Sequence, residues 1–76
     1  MGLSGWTKVG DRVDPTGSWT VYRHKGRDFD DVEVVDSVPD QSLAVKRYSS
    51  AADGARRGGV WLVSPDGLVV DVKFVR

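Results

Sequence analysis

Three groups of side chains in this 76-residue chain could do chemistry. His24 is the sole histidine, so a Ser-His-Asp relay would need it as the base, yet no Gly-x-Ser-x-Gly elbow accompanies it. Between Arg23 and Lys25, the residue reads as part of a solvated turn. Asp28, Asp30, Asp31 and Glu33 bring four carboxylates within six residues, a composition that attracts hard cations such as calcium. The EF-hand spacing is absent, since neither the central Gly nor the distal Glu is in place. A strand would send alternate carboxylates to opposite faces, away from a common ion. The sequence therefore predicts no catalytic residue, no metal and no cofactor.

The third group is Trp19, Tyr22, Arg23, His24, Lys25 and Arg27, which interleaves aromatics with cations as do surfaces that stack bases and neutralise phosphates. Its contact candidates are Trp19, Tyr22, Arg23, Lys25 and Arg27. Against it stand a formal charge of zero, the lack of an RNP1-like string, and the placement of Trp19 and Tyr22 on opposite faces of a strand. A nucleic-acid-binding domain is thus the second expectation, behind a protein contact.

The tryptophans point to that contact. A core this small holds one or two of them, each burying on the order of 200 Å². Trp61 lies inside an apolar run and is expected in the core. Trp6 follows Gly2 and Gly5 on an arm expected to be flexible over residues 1–5, and is the candidate hot spot. The alternative is that Trp6 folds back as a lid on its own domain.

These candidates depend on the elements that carry them, and the strongest element is residues 59–75. Two β-branched runs flank Pro65-Asp66-Gly67, where Pro presets φ and Gly accepts φ > 0, so a hairpin is predicted. In its second arm Leu68, Val70, Val72 and Phe74 are expected on one face. Val69, Asp71, Lys73 and Val75 fall on the other. A terminal strand of this kind often stays an open edge, so Val69, Asp71, Lys73 and Val75 join Trp6 as protein-contact candidates. Upstream, residues 6–13 and 18–24 read as strands joined at Asp14-Pro15-Thr16-Gly17, a type I turn pattern. Residues 29–38 read as a strand with a bulge near Val34 and Val35. Residues 43–48 read as a strand with Leu43 and Val45 inward, and residues 50–57 as a short helix capped by Ser49 or Ser50 and ended by Gly58. The sum is a mainly β, β-rich α+β domain over residues 1–76: a small antiparallel rolled sheet or SH3-like barrel of five to six strands. A flatter α+β sheet with the helix on one face is the alternative.

Fourteen valines, no Ile, no Asn, and ten Asp against one Glu make a strand-leaning palette that also resembles GC-rich coding, as in some bacteria and their phages. Charge runs in blocks: residues 1–27 carry five basic and two acidic side chains, residues 28–40 six acidic and none basic, and residues 41–57 four basic and one acidic. Neighbouring strands are expected to pair these blocks across the sheet, with a polar docking surface as the other reading. Without cysteine there is no disulfide framework. The first residues lack a signal-peptide pattern, the Met-Gly start has Trp6 where myristoylation wants Ser or Thr, and no apolar run is long enough to span a bilayer. The expectation is a cytoplasmic protein, or one within an intracellularly assembled particle, that makes no membrane contact. In function it is expected to be a non-enzymatic protein-interaction or assembly module. A small phage structural or accessory protein, or a regulator docking on a larger protein, are its concrete forms, and self-association its simplest partnership.

Overall fold

A computed structural model describes residues 3–25, 32–55 and 58–75. The expectations for Arg27, for Asp28, Asp30 and Asp31, for the start of the strand at 29–38 and for the end of the helix at 50–57 reach outside those residues. The elements are β1 (Trp19–His24), β2 (Val32–Val38), α1 (Gln41–Gly54), β3 (Gly58–Val63) and β4 (Val69–Val75). The strands form one antiparallel sheet in the order β2-β1-β3-β4, and α1 packs across β1, β2 and β3. This is the flatter of the two expected architectures. Four strands in an open sheet replace the expected five to six strands and the barrel.

Two sequence elements account for the difference. Residues 43–48 are helix, so α1 begins nine residues earlier than expected. Asp40 caps it, its side chain accepting from the Leu43 N–H at 3.2 Å, and Ala44, Tyr48 and Ala52 recur every four residues as the buried stripe. Leu43 and Val45, expected inward, are exposed on the outer side. Periodicity alone does not separate a strand from a helix in so short an apolar run, and the cap at Asp40 with the i, i+4 stripe decides for the helix. The helix ends at Ala55, whose N–H donates to the Ala52 carbonyl at 3.3 Å, while Gly58 opens β3 at φ 89° instead of capping the helix.

Residues 6–13 are not a strand. Among the described residues only Arg12 forms a bridge, to Leu68. No β-hairpin closes at residues 14–17, because the Gly17 N–H donates across to the Pro65 carbonyl at 3.0 Å. The segment instead lies against the sheet face opposite α1. Trp61 anchors it, donating its indole N–H to the Thr7 carbonyl at 2.8 Å.

The hairpin at residues 59–75 forms as read. Ser64 and Leu68 pair at its base, and Gly67 sits at φ 91°. A Cβ there would collide with the Val13 carbonyl oxygen, whose residue donates its own N–H to Gly67 O at 2.8 Å. Gly67 is therefore required twice, for its φ and for the close approach of the arm.

The sheet separates two cores. On the helix side Val21, Val38, Val60 and Leu62 meet Ala44, Tyr48 and Ala52, with Trp19 alongside. On the other side Trp61, Val63 and Val69 meet Val13, flanked by Leu3, Tyr22, Val32 and Val72. Trp61 is fully buried, as expected. Gly59 makes room for it: a Cβ there would stand 2.6 Å from the indole ring.

Candidate functional site

The side of the sheet away from α1 is built by alternation. Val34, Tyr22, Trp61 and Val72 lie directly opposite one another across β2, β1, β3 and β4, and opposed residues share a face. Gly59 and Phe74 pair one step further along, and Phe74 meets Trp61 edge to face with ring centroids 6.2 Å apart. Residues 3–17 cover only part of this face. Between that segment and the β1–β2 half lies a cleft of about 280 Å³ lined by Leu3, Val13, Asp14, Thr16, Tyr22 and Val32. Burial and then the Asp14 carboxylate raise the Tyr22 pKa above 10.0, so its phenol stays neutral in ordinary buffers. The Thr16 hydroxyl donates to the Ser18 carbonyl at 3.0 Å and lies 3.1 Å from the Thr20 hydroxyl, a structural use of that group.

Exposure sets this side apart. Among the described residues, the four large apolar side chains more than half exposed are Trp6 at 71%, Phe74 at 59%, Val34 at 56% and Val9 at 55%. Val34 and Phe74 stand on the face itself, and Trp6 and Val9 belong to the segment packed on it. Trp6 sits within a small turn in which Thr7 N–H donates to the Ser4 carbonyl and Trp6 N–H to the Ser4 hydroxyl. The lid reading of Trp6 is not what the exposure shows.

The expected contact set on β4 is divided. β4 is an edge strand, as anticipated, but Val70 is an extra residue between the pairs Val63↔Val69 and Leu62↔Asp71. That bulge resets the alternation. Val69 turns into the core at 1% exposure, while Asp71 and Lys73 face the α1 side with Leu62 and Val60. Val69 is thus no contact residue, and Phe74, assigned to the inner face, is exposed. Val75 pairs with Gly58 through the backbone.

The nucleic-acid set is not brought together. Trp19 packs in the helix-side core and Tyr22 on the opposite face. The Arg23 guanidinium binds Glu33 through Nε at 2.9 Å and through a second N–H, and the bond holds the Glu33 carboxyl below its ordinary range. Lys25 is exposed and Arg27 lies outside the described residues. His24 is half-buried on β1. Among the described residues no group of three His, Cys, Asp or Glu could hold a metal ion, and no helix is long and apolar enough to cross a membrane. The described part of the acidic block pairs internally: Glu33 holds Arg23, Asp36 lies 3.2 Å from Arg47 Nε, and Asp40 caps α1.

Sequence reasoning missed a feature of both edges. Val-Val-Asp occurs at residues 34–36 and again at 69–71, and in each the middle valine is the extra bulge residue. Each Asp Oδ1 accepts the next N–H, from Ser37 at 2.9 Å and from Val72 at 2.8 Å. Consecutive helix residues reach both: Arg47 to Asp36, and the Tyr48 hydroxyl to Asp71. Burial first, then the Asp71 charge and hydrogen bond, push the Tyr48 pKa up to about 12. A bulge and a carboxylate blunt each edge against indiscriminate pairing. The repeated triplet was the signal.

No protein-family model matches the chain, and neither a curated protein nor a solved structure matches it.

Proposed function

We propose that this chain is a non-enzymatic protein-interaction module that binds a protein partner with the sheet side opposite α1, as a small accessory or structural component or as a regulator docking on a larger protein. One observation supports this most: among the described residues, the large apolar side chains more than half exposed, Trp6, Val9, Val34 and Phe74, all belong to that side. Exposed apolar groups on one side of a small domain are the usual mark of a contact surface, and Trp is among the residue types most enriched at energetic centres of interfaces. The site is built for shape and apolar contact, since the hydroxyls and carboxylates around it serve turns, caps and edges.

The test has two arms. Complexes formed in an extract of the native host are compared for wild type, Trp6→Ser and Val34→Ser, with Ser50→Ala on the outer side of α1 as control. Loss of the same complex in both open-side variants alone is the expected result. Labelled single-stranded DNA and RNA are titrated at two salt concentrations. A phosphate-binding protein would lose affinity steeply with salt, and such behaviour, with the extract complexes unaffected by the variants, would replace this reading with the nucleic-acid one.

A further inference from the structure

The two sheet edges are blunted alike but charged differently. β2 carries Glu33 and Asp36 and no basic residue, so two copies meeting along it would oppose acid with acid. β4 carries Asp71 and Lys73 on the same face, either side of Val72. Its edge is also partly occupied: Gly10 N–H donates to the Val69 carbonyl and Val69 N–H to the Asp11 carbonyl, each at 3.0 Å. Among the described residues nothing pairs with the outer edge beyond Val69, which leaves the stretch from Val70 onward.

A strand this short is read by few partners, and one of them is itself. In an antiparallel pair related by a two-fold axis, opposed residues share a face, so the axis must pass through a residue. Centred on Asp71, the pair opposes two carboxylates and runs into the Gly10–Asp11 cover. Centred on Lys73, it opposes two ammonium groups. Centred on Val72, Asp71 of each copy faces Lys73 of the other, Val72 faces Val72, and the exposed Phe74 faces the exposed Val70. Only the register centred on Val72 pairs Asp71 with Lys73, and it also matches the apolar groups.

We infer that β4 is a self-pairing edge, through which a second copy of this chain adds antiparallel in the register centred on Val72 to form a continuous eight-stranded sheet. The partnership deepens the interaction-module reading and rests on it for its purpose, but uses the edge and touches the open face only at Phe74. In the single copy the Asp71 carboxylate accepts the Val72 N–H. On pairing, that N–H turns to the carbonyl of the partner's Val72, and the carboxylate gains the partner's Lys73. A strand without a cation at that position leaves the carboxylate facing it unmatched, so the group that blunts the edge also selects who may join it.

Charge exchange tests this directly. Asp71→Lys opposes lysine with lysine at both positions and Lys73→Asp opposes carboxylate with carboxylate, so each should weaken self-association by about tenfold or more. Mixed one to one, the two variants regain opposite charges at both positions, and sedimentation should show a heterodimer at least as tight as the wild-type homodimer. Should Asp71→Lys not fold, hydrogen exchange at the Val72 amide of wild type decides, with protection that grows between about 20 μM and about 1 mM expected. A mixture no more associated than its components, or Val72 exchange independent of concentration, overturns the inference. Trp6→Ser and Val34→Ser lie off this edge and should leave the mixing result unchanged. Intact self-pairing with no partner complex would therefore break the open-face reading alone, and the reverse outcome would break this one alone.

Discussion

The two faces of the sheet are covered by different means. Over the helix-side face lies a 14-residue helix with a regular stripe, Ala44, Tyr48 and Ala52, two of whose members are small enough to bring the backbone close. Over the other face lies an irregular segment, residues 3–17, which reaches Trp61 with a carbonyl and Val69 and Gly67 with its backbone. The helix satisfies its own backbone and so covers β1, β2 and β3 on its face without a break. The irregular segment must find partners for each N–H and C=O elsewhere, so it follows the hairpin and leaves Val34 and Phe74 uncovered at either side. A face sealed by regular structure is a core, and one sealed by borrowed hydrogen bonds has surface left over.

The comparison can be broken most severely at Trp61, which supports the irregular cover from below. Trp61→Ala should cost about 3–5 kcal/mol, losing both packing and the bond to Thr7, and a small domain should then show no cooperative melt. Next is Gly67, where a side chain meets both the positive φ and the Val13 carbonyl. Either Val or Asn there should cost about 2 kcal/mol or more in denaturant melts, Val more than Asn, because a β-branched residue tolerates that conformation worst. On the sealed face, Asp40→Ala removes the cap of α1 and should cost about 1 kcal/mol.

Tyr48 supplies a pH-dependent contrast. Its pKa is raised from 10.0 to about 12 on folding, so its contribution to stability is fully present below pH 10.0 and is lost as pH rises through about 12. Tyr48→Phe should show a smaller alkaline loss of stability over that interval, followed by chemical denaturation at several pH values. The smallest effects on stability belong to the open face itself. Trp6→Ser and Val34→Ser should each change stability by no more than about 0.5 kcal/mol, which leaves them free to report on binding.

Legibility in the sequence followed the same division. The 59–75 hairpin, the positive φ at Gly67, the buried Trp61 and the bulge near Val35 were all readable, because Pro-Asp-Gly, a continuous β-branched run and a broken alternation are local signals. The helix was half readable: alanines marked its second half, but Leu43 and Val45 imitate a strand until Asp40 is read as a cap. Residues 6–13 imitate a strand by composition, and only Trp61 and Val69, more than fifty residues away, show why they are none. At the candidate site, the exposure of Trp6 was legible from its glycine-flanked arm. Val69 turned inward because one extra residue at Val70 reverses every side chain before it, whereas Phe74 kept the face of Val72 and is exposed because the irregular segment stops short of it.

The claim that function resides on the irregularly covered face is tested most directly by position-specific cross-linking. A photo-reactive side chain replaces Trp6, Val34 or, on the outer side of α1, Ser50, and adducts are captured in the native host. The account predicts one common protein adduct from Trp6 and Val34, with none from Ser50. Adducts from Ser50 alone, or none from Trp6 and Val34, would contradict it.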